Sequence, residues 1–141
     1  MQRGRRIAFD YGDVRIGVAI ADPDGVLASP LTTLASRDKR LAQQLVEIFT
    51  EYEPITIYVG KPLNMDASAG LAAKKAEGFC QLLSTLSTAP IVAIDERLST
   101  LSAAKNMRDS GVNARAAKSR VDQAAAVAIL EFALSIERNK P

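Results

Sequence analysis

Two short and continuous apolar runs, Ile55–Val59 and Ile91–Ile94, each follow a stretch in which apolar residues recur at helical spacing. A continuous apolar run of this length is typical of a strand buried on both faces, and such strands lie parallel in a sheet covered by helices. A proline stands directly before each run, at Pro54 and Pro90, and ends the preceding helix. The sequence therefore predicts βαβ units, with parallel strands joined by helices that pack on the sheet.

The chain before these units shows a different pattern, in which short apolar segments are separated by turns. Arg5–Asp10 and Arg15–Ala21 are predicted strands, and the glycine-containing turn between them predicts a hairpin. Val26–Leu34 is predicted as a third strand, interrupted or ended by Pro30. We therefore expect the chain to start with three antiparallel strands.

Helical spacing of apolar residues predicts the remaining elements. These are a helix with Ser36 as its N-cap that ends near Glu53, a loop over Leu63–Ala69, a helix with the stripe Ala72 to Leu86, a short helix over Thr100–Arg108, and a long helix over Ala114–Glu137. The order β-β-β-α-β-α-β-α-α indicates an α/β fold with a mixed five-stranded sheet flanked by helices. The length of 141 residues suits a single domain, 1–141.

The composition excludes several kinds of chemistry. The chain has no histidine and one cysteine, Cys80, so Ser–His or Cys–His catalysis and histidine-based zinc sites are excluded, as is an internal disulfide. No apolar stretch approaches the ~18 residues that span a bilayer, and the basic N-terminus is not followed by a signal-peptide pattern. We expect a cytoplasmic protein that does not enter membranes.

Acidic residues stand where predicted strands end and where the last helix begins to be apolar. Asp10 closes the first strand, Asp95 and Glu96 close the last, and Asp122 extends a stripe formed by residues 125, 129, 132 and 136. Carboxylates that converge at strand ends suit Mg²⁺ or Mn²⁺, which take oxygen ligands and can activate water for phosphodiester hydrolysis. Alternatively, Lys118, one turn earlier, pairs with Asp122.

Two further patterns leave alternatives open. Asp10 and the glycines that follow it also resemble the first phosphate loop of the actin, heat-shock-70 and sugar-kinase ATPases, although those proteins use two such domains, and an ordinary glycine turn is the simpler interpretation. Basic residues cluster in the N-terminal segment 3–6 and in the segment 105–120. They could hold phosphates or form a solvated surface.

Four ordered motifs resemble the YqgF (RuvX) family of pre-16S rRNA nucleases and Holliday-junction-resolvase-like proteins. The motifs are Asp10-Tyr11-Gly12 with Arg15-Ile16-Gly17-Val18-Ala19, Val59-Gly60-Lys61-Pro62-Leu63-Asn64-Met65-Asp66, Asp95-Glu96-Arg97-Leu98-Ser99-Thr100, and Lys118 with Val121-Asp122-Gln123-Ala124-Ala125. The resemblance spans nearly the whole chain and implies an RNase H-like fold, which agrees with the element order.

The resemblance also implies the site and its task. It implies that Asp10, Glu96 and Asp122 are the catalytic acids and the ligands of Mg²⁺ or Mn²⁺. The basic residues of the matching motifs are then expected to bind substrate: Arg15, Lys61, Arg97 and Lys118. The implied substrate is nucleic acid, namely the 5′ end of 16S ribosomal RNA precursor. A resolvase on branched DNA and a non-catalytic ribosomal RNA binding factor are the alternatives, and the protein could be a monomer or a homodimer.

Overall fold

The computed structural model describes residues 1–61, 67–95 and 114–140. In this part of the chain the elements are β1 (Arg6–Tyr11), β2 (Arg15–Ala21), β3 (Ala28–Ala35), α1 (Leu41–Tyr52), β4 (Thr56–Lys61), α2 (Ala67–Leu86), β5 (Ile91–Asp95) and α3 (Ala114–Asn139). The predicted short helix over Thr100–Arg108 lies outside the described residues.

The described strands form one mixed five-stranded sheet in the order β3-β2-β1-β4-β5. β1 pairs antiparallel with β2, and β2 pairs antiparallel with β3, while β4 lies parallel to both β1 and β5. The predicted hairpin, meander and parallel units are therefore confirmed. Pro30 does not end β3, because β3 is an edge strand in which a missing N–H is tolerated. Pro30 pairs with Ala19, and the register between β2 and β3 shifts between Val18 and Ala19.

Residues of β1 alternate between two cores, one on each face of the sheet. Ile7 and Phe9 face the core that α1 and α2 cover, where the ring of Phe9 meets those of Phe49 and Phe79 edge-on at centroid distances of 6.2 and 5.4 Å. Ala8 belongs to the other core, which α3 covers. Small side chains on that face let a helix lie close to the sheet, and this closeness positions the site.

The start of α1 differs from the prediction. The helix begins at Leu41 with Arg40 at its N-cap position, and no side chain caps it. Ser36 is not the N-cap, because its hydroxyl donates instead to the carbonyl oxygen of Gly12 at 2.5 Å. A serine can serve a turn as well as a helix start, and here the turn between β1 and β2 takes it.

The buried face of α3 is also rotated from the predicted stripe. Ala125 and Ile129 are buried and Phe132 is partly buried, as predicted, but Ile136 is 39% exposed. The fully buried positions that the stripe missed are Ala126, Leu130, Ala133 and Leu134. A straight helix has 3.6 residues per turn, so a stripe drawn at alternating steps of three and four drifts off the buried face over four turns.

Two other segments need correction. The predicted loop over Leu63–Ala69 is helical from Ala67, where α2 begins, and residues 62–66 lie outside the described part. β5 was expected to be buried on two sides, but Val92 is 40% exposed and only Ile94 of this strand is buried. β5 is an edge strand, so an apolar run there does not imply burial on both faces.

Candidate active site

Asp10 lies near the end of β1, between two glycines of the neighbouring strands. Its register partners are Gly17 on β2 and Gly60 on β4. Register partners in a sheet project to the same face, so no side chain stands beside the Asp10 carboxylate on either strand. Because residues alternate along β1, Asp10 shares its face with Ala8, and this is the face covered by α3.

Gly17 also lets α3 approach the sheet at this point. A Cβ atom at position 17 would overlap the backbone carbonyl group of Asp122, more than 1 Å inside the 3.0 Å limit that Cβ atoms respect. The backbone of α3 at Asp122 therefore rests directly on the residue that pairs with Asp10. Because Gly17 has no side chain, the backbone of α3 at Asp122 thus lies next to the strand position that pairs with Asp10, although the two aspartates are about a hundred residues apart in sequence.

Asp122 is held by a basic residue of the same hairpin. The Arg15 Nε donates to Asp122 Oδ2 at 2.7 Å, and the two side chains are 38% and 20% exposed. On the next residue of α3, the Gln123 amide donates to the hydroxyl of Thr33 at 2.9 Å. These contacts fix the start of the buried part of α3 to β2 and β3. The alternative pairing of Asp122 with Lys118 is not tested, because the Lys118 side chain lies outside the described part of the structure.

The turn that joins Asp10 to Arg15 is braced from both neighbouring elements. The Gly12 N–H donates to the Arg15 carbonyl at 3.0 Å, and the Ser36 N–H donates to the Val14 carbonyl at 2.9 Å. From α2, the Lys75 ammonium pairs with Asp13 at 2.9 Å. The hairpin is therefore a fixed support for Asp10 and Arg15, and Ser36 and Lys75 contribute to it although sequence reasoning gave neither a role near the site.

Asp95 and Lys61 lie on the other face of the sheet. They are register partners, and Lys61 follows the face of Ile57 and Val59, which belong to the core under α1 and α2. Burial raises the pKa of the Cys80 thiol on α2, and the nearby Lys61 ammonium partly offsets that rise. The structure therefore does not bring Lys61 to Asp10, and it places Asp95 on the face opposite to Asp10.

The other predicted residues cannot be placed. Glu96 and Arg97 lie outside the described residues, as does the Lys118 side chain. Within the described ranges, no group of three or more histidine, cysteine or acidic side chains is arranged to hold a metal ion. The described part of the site is therefore Asp10, Asp122 and Arg15, with carboxylate oxygens as the donors that Mg²⁺ or Mn²⁺ would take.

The basic N-terminal segment serves the fold instead of the site. Arg6 is 1% exposed, and its guanidinium donates to the Glu137 carboxylate at 2.9 and 3.2 Å. Arg3 pairs with Asp24, and the Arg5 guanidinium lies over the Tyr52 ring, 5.8 Å from its centroid. Arg6 is the first residue of β1 and the other two precede it, so all three lie at the end of the strand away from Asp10. The interpretation of Arg6 as part of a phosphate-binding or solvated surface is wrong.

Sequence reasoning also missed the partners of Arg6. The Tyr58 hydroxyl donates to the Glu137 carboxylate at 2.6 Å. Burial would raise the pKa of Glu137, but the hydrogen bonds from Tyr58 and Arg6 and the charge of Arg6 outweigh it and hold the pKa below its ordinary value. Burial, followed by the hydrogen bond to Glu137, raises the pKa of Tyr58. The sequence feature that points to Glu137 is its spacing on α3. It follows the buried Ala133 by four residues, and residues four apart lie on the same face of a helix.

A large cavity lies elsewhere and does not mark this site. Its volume is about 980 Å³, and it is lined by the ends of α1 and α2 and the starts of β4 and β5, including Glu53, Thr56 and Ser84. These positions are at the opposite end of β4 from Gly60. The candidate active site is instead located by Asp10 and by the close approach of α3 at Asp122 to its register partner Gly17. In the parts of the chain that the structure describes, no helix is long and apolar enough to cross a membrane.

Solved structures with a similar fold are Holliday junction resolvases. A Thermus thermophilus RuvC bound to a Holliday junction substrate superposes with a TM-score of 0.63 at 13% identity, covering 96% of each chain. The fowlpox virus Holliday junction resolvase superposes with a TM-score of 0.53 at 15% identity, covering 96% of this chain and 99% of that one. The fold is therefore RNase H-like, as expected.

Sequence relatives give the family. A Streptomyces coelicolor protein named "Putative pre-16S rRNA nuclease" is 46% identical over 140 residues, which cover 98% of this chain and 84% of that protein. A Streptomyces avermitilis protein of the same name is 45% identical, with 98% and 90% covered. Residues 4–136 match the family described as RuvX, Holliday junction resolvase. This chain belongs to the RuvX family.

Proposed function

We propose that this chain is a nuclease that hydrolyses phosphodiester bonds of structured nucleic acid, with Asp10, Glu96 and Asp122 as its acids. The observation that carries the proposal is the close approach of the Asp122 backbone to Gly17, the residue that pairs with Asp10. A chain without histidine needs carboxylates for such chemistry. We further propose that residues 1–141 act as one domain, since all described strands share one sheet.

The donor set fits a hard divalent cation, and we propose Mg²⁺ or Mn²⁺ held by these three acids. Such an ion, when bound, activates water and neutralises charge on a phosphodiester. The chain's own contribution is orientation: Arg15 holds one oxygen of Asp122, and the braced hairpin holds Asp10. Arg15 is also 38% exposed, so its guanidinium remains accessible to a substrate phosphate.

We prefer Glu96 to its neighbour Asp95 as the third acid because Asp95 and Asp10 lie on opposite faces of the sheet. Asp95 lies on the face opposite to Asp10, as its pairing with Lys61 requires. It is therefore excluded from the face that holds Asp10 and Asp122, and Glu96 is the remaining acid of the pair. We propose that Arg97 and Lys118 bind substrate near these acids, and that Lys61, on the face opposite to Asp10, contacts substrate beyond the sheet edge.

The proposed substrate is the 5′ end of 16S ribosomal RNA precursor, processed in the bacterial cytoplasm. The names of the relatives support it, at 45–46% identity over nearly the whole chain. The second candidate is a four-way DNA junction. The family description and the fold shared with RuvC at a TM-score of 0.63 favour it. A monomer or a homodimer is compatible with the first substrate, whereas symmetric cutting of a junction requires a dimer.

One experiment tests both the acids and the substrate. Purified protein is incubated with Mg²⁺ or Mn²⁺ and either precursor ribosomal RNA or a four-way DNA junction. We expect RNA cleavage by the wild type, none by Asp10→Asn or Glu96→Gln, and substantial cleavage by Asp95→Asn. Circular dichroism should show an intact fold in each variant. Turnover at the wild-type rate in Asp10→Asn, or loss only in Asp95→Asn, contradicts the assignment of the acids. Cleavage of the junction alone supports the second candidate.

A further inference from the structure

A small depression lies at the same end of β1 as Asp10, on the face of the sheet that α1 and α2 cover. Its volume is about 280 Å³, and Tyr11 and Phe79 line it together with Ser36, Leu41, Lys75, Gly78 and Leu82. Tyr11 directly follows Asp10 on β1, so the depression and the acids share one end of one strand. The volume is just below the ~300 Å³ at which pockets for small ligands begin, so it suits one planar ring system.

The rings in this depression are already arranged as a stacking surface. Tyr11 and Phe79 stack with centroids 5.0 Å apart and planes inclined by 26°. Phe79 is 4% exposed and fixed in the core, while Tyr11 is only partly buried. An aromatic ring held rigid from behind costs little entropy when a second ring stacks on it, and bases of any sequence provide such a ring.

Gly78 leaves this depression open without serving the packing of α2. A Cβ atom at position 78 would meet nothing within 4 Å. Glycine within a helix costs ~1 kcal/mol relative to alanine, and no close contact requires it here. Gly78 is among the residues that line the depression, and its position has room for a larger side chain.

The rim of the depression carries the Lys75 ammonium, whose charge is partly neutralised by Asp13. The Lys75 ammonium pairs with Asp13 and remains 42% exposed, so it can also meet the phosphate of a nucleotide. The pairing with Asp13 weakens that attraction, so a free phosphate has little to bind here. Recognition must come mainly from stacking, which favours a base attached to a chain already held at the acids.

We propose that this depression, which we call the Tyr11 pocket, binds one unpaired nucleobase of the substrate next to the bond to be cut. The proposal rests on the proposed nuclease function and adds a requirement for a single-stranded or splayed nucleotide at the site. Duplex nucleic acid keeps its bases stacked inside and cannot fill the pocket. The enzyme would therefore select the junction between paired and unpaired segments.

Binding without cleavage tests the pocket independently of the nuclease activity. The probe is a four-nucleotide RNA with one 2-aminopurine, titrated into the full chain in EDTA and followed by the quenching of its fluorescence. A matched RNA that lacks the base at that position but keeps every phosphate is added as a competitor, and its affinity is obtained from the recovery of the 2-aminopurine fluorescence. We expect removal of the base to weaken binding roughly tenfold, as loss of one stacked base does. Equal binding of both RNAs overturns the proposal even when the protein cleaves RNA, and failure to cleave leaves this test intact.

Variants locate the binding on the protein. Tyr11→Phe should bind as the wild type does, and Tyr11→Leu should lose roughly tenfold, because only the former keeps a ring. Since Tyr11 packs on Phe79, Tyr11→Leu could also disturb the fold. Gly78→Leu avoids this problem by filling the depression from an open position, and Gly70→Leu is its control, as a Cβ atom at position 70 also meets nothing within 4 Å. Unchanged binding in Gly78→Leu overturns the proposal, whatever the Tyr11 variants show.

Discussion

Replacing Gly17 with alanine should move Asp122 on α3 away from the strand position that pairs with Asp10. The added Cβ atom would enter the carbonyl group of Asp122, and relief of the overlap requires the backbone of α3 to move from β2 by more than 1 Å. Neither partner is a flexible side chain end, so a helix or a strand must shift. Overpacking of this kind costs about 1–3 kcal/mol, which corresponds to a fall of roughly 3–10 °C in Tm for a domain of this size.

The effect on cleavage should exceed the effect on stability. A misplacement of ~1 Å between catalytic groups can lower the rate about 100-fold. Gly70→Ala is the matched control, because it makes the same change at a position where nothing lies within 4 Å, and it should leave Tm unchanged or raise it. Thermal unfolding and single-turnover cleavage with saturating Mn²⁺ measure both effects. A Gly17→Ala variant with the wild-type Tm and rate would refute the close approach of α3 at Asp122.

Further predictions follow from the ion pairs. Asp122→Ala should abolish most cleavage yet change stability without metal by less than ~1 kcal/mol, because its partly exposed pair with Arg15 contributes little; a larger loss in thermal unfolding would make the pair structural. Arg3→Ala should leave RNA affinity and its salt dependence unchanged in filter binding. If the variant instead lowers the slope of log affinity against log salt concentration, Arg3 contacts substrate phosphates. Glu137→Gln should cost ~3 kcal/mol near neutral pH by leaving Arg6 buried without its counter-charge. Because the folded pKa of Glu137 is lowered, that stability is present above its ordinary value of 4.5 and lost as pH falls through the folded pKa, so urea titrations should show the difference from wild type shrinking in acid.

Periodicity predicted the elements well where one face of each is buried. The bounds of the strand Arg15–Ala21 agree with the structure, and the order of strands and helices followed from the apolar runs. Burial of edge elements was predicted less well. The run Ile91–Ile94 is as apolar as a central strand, but its place at the edge of the sheet leaves Val92 exposed. Sequence pattern reports local hydrophobicity, while burial depends on which elements pack on it.

The site could be predicted only as a set of residue types. Acids at strand ends indicated Asp10, and the helical stripe indicated Asp122, but the position of Asp122 relative to β1 depends on how closely α3 docks on Gly17 of β2. Likewise, the family resemblance implied Glu96 and not its neighbour Asp95, but the sequence did not show on which face of the sheet Asp95 lies. The register that pairs Asp95 with Lys61 gives that face, and the proposal of Glu96 remains a prediction. The burial of Arg6 was not predictable either, since its partner Glu137 is 131 residues away.

The position of Asp122 depends on both ends of α3. Near its start, the helix rests on Gly17 and is tied by Arg15; near its end, Glu137 is tied to Arg6 and Tyr58. The two anchors are separated by about 22 Å at ~1.5 Å per residue, with a buried apolar face between them. Both also attach to β1 or its hairpin, the element that carries Asp10. A helix fixed to that element at two points can neither slide nor rotate, so a pair of charges far from the acids helps to set the distance between them.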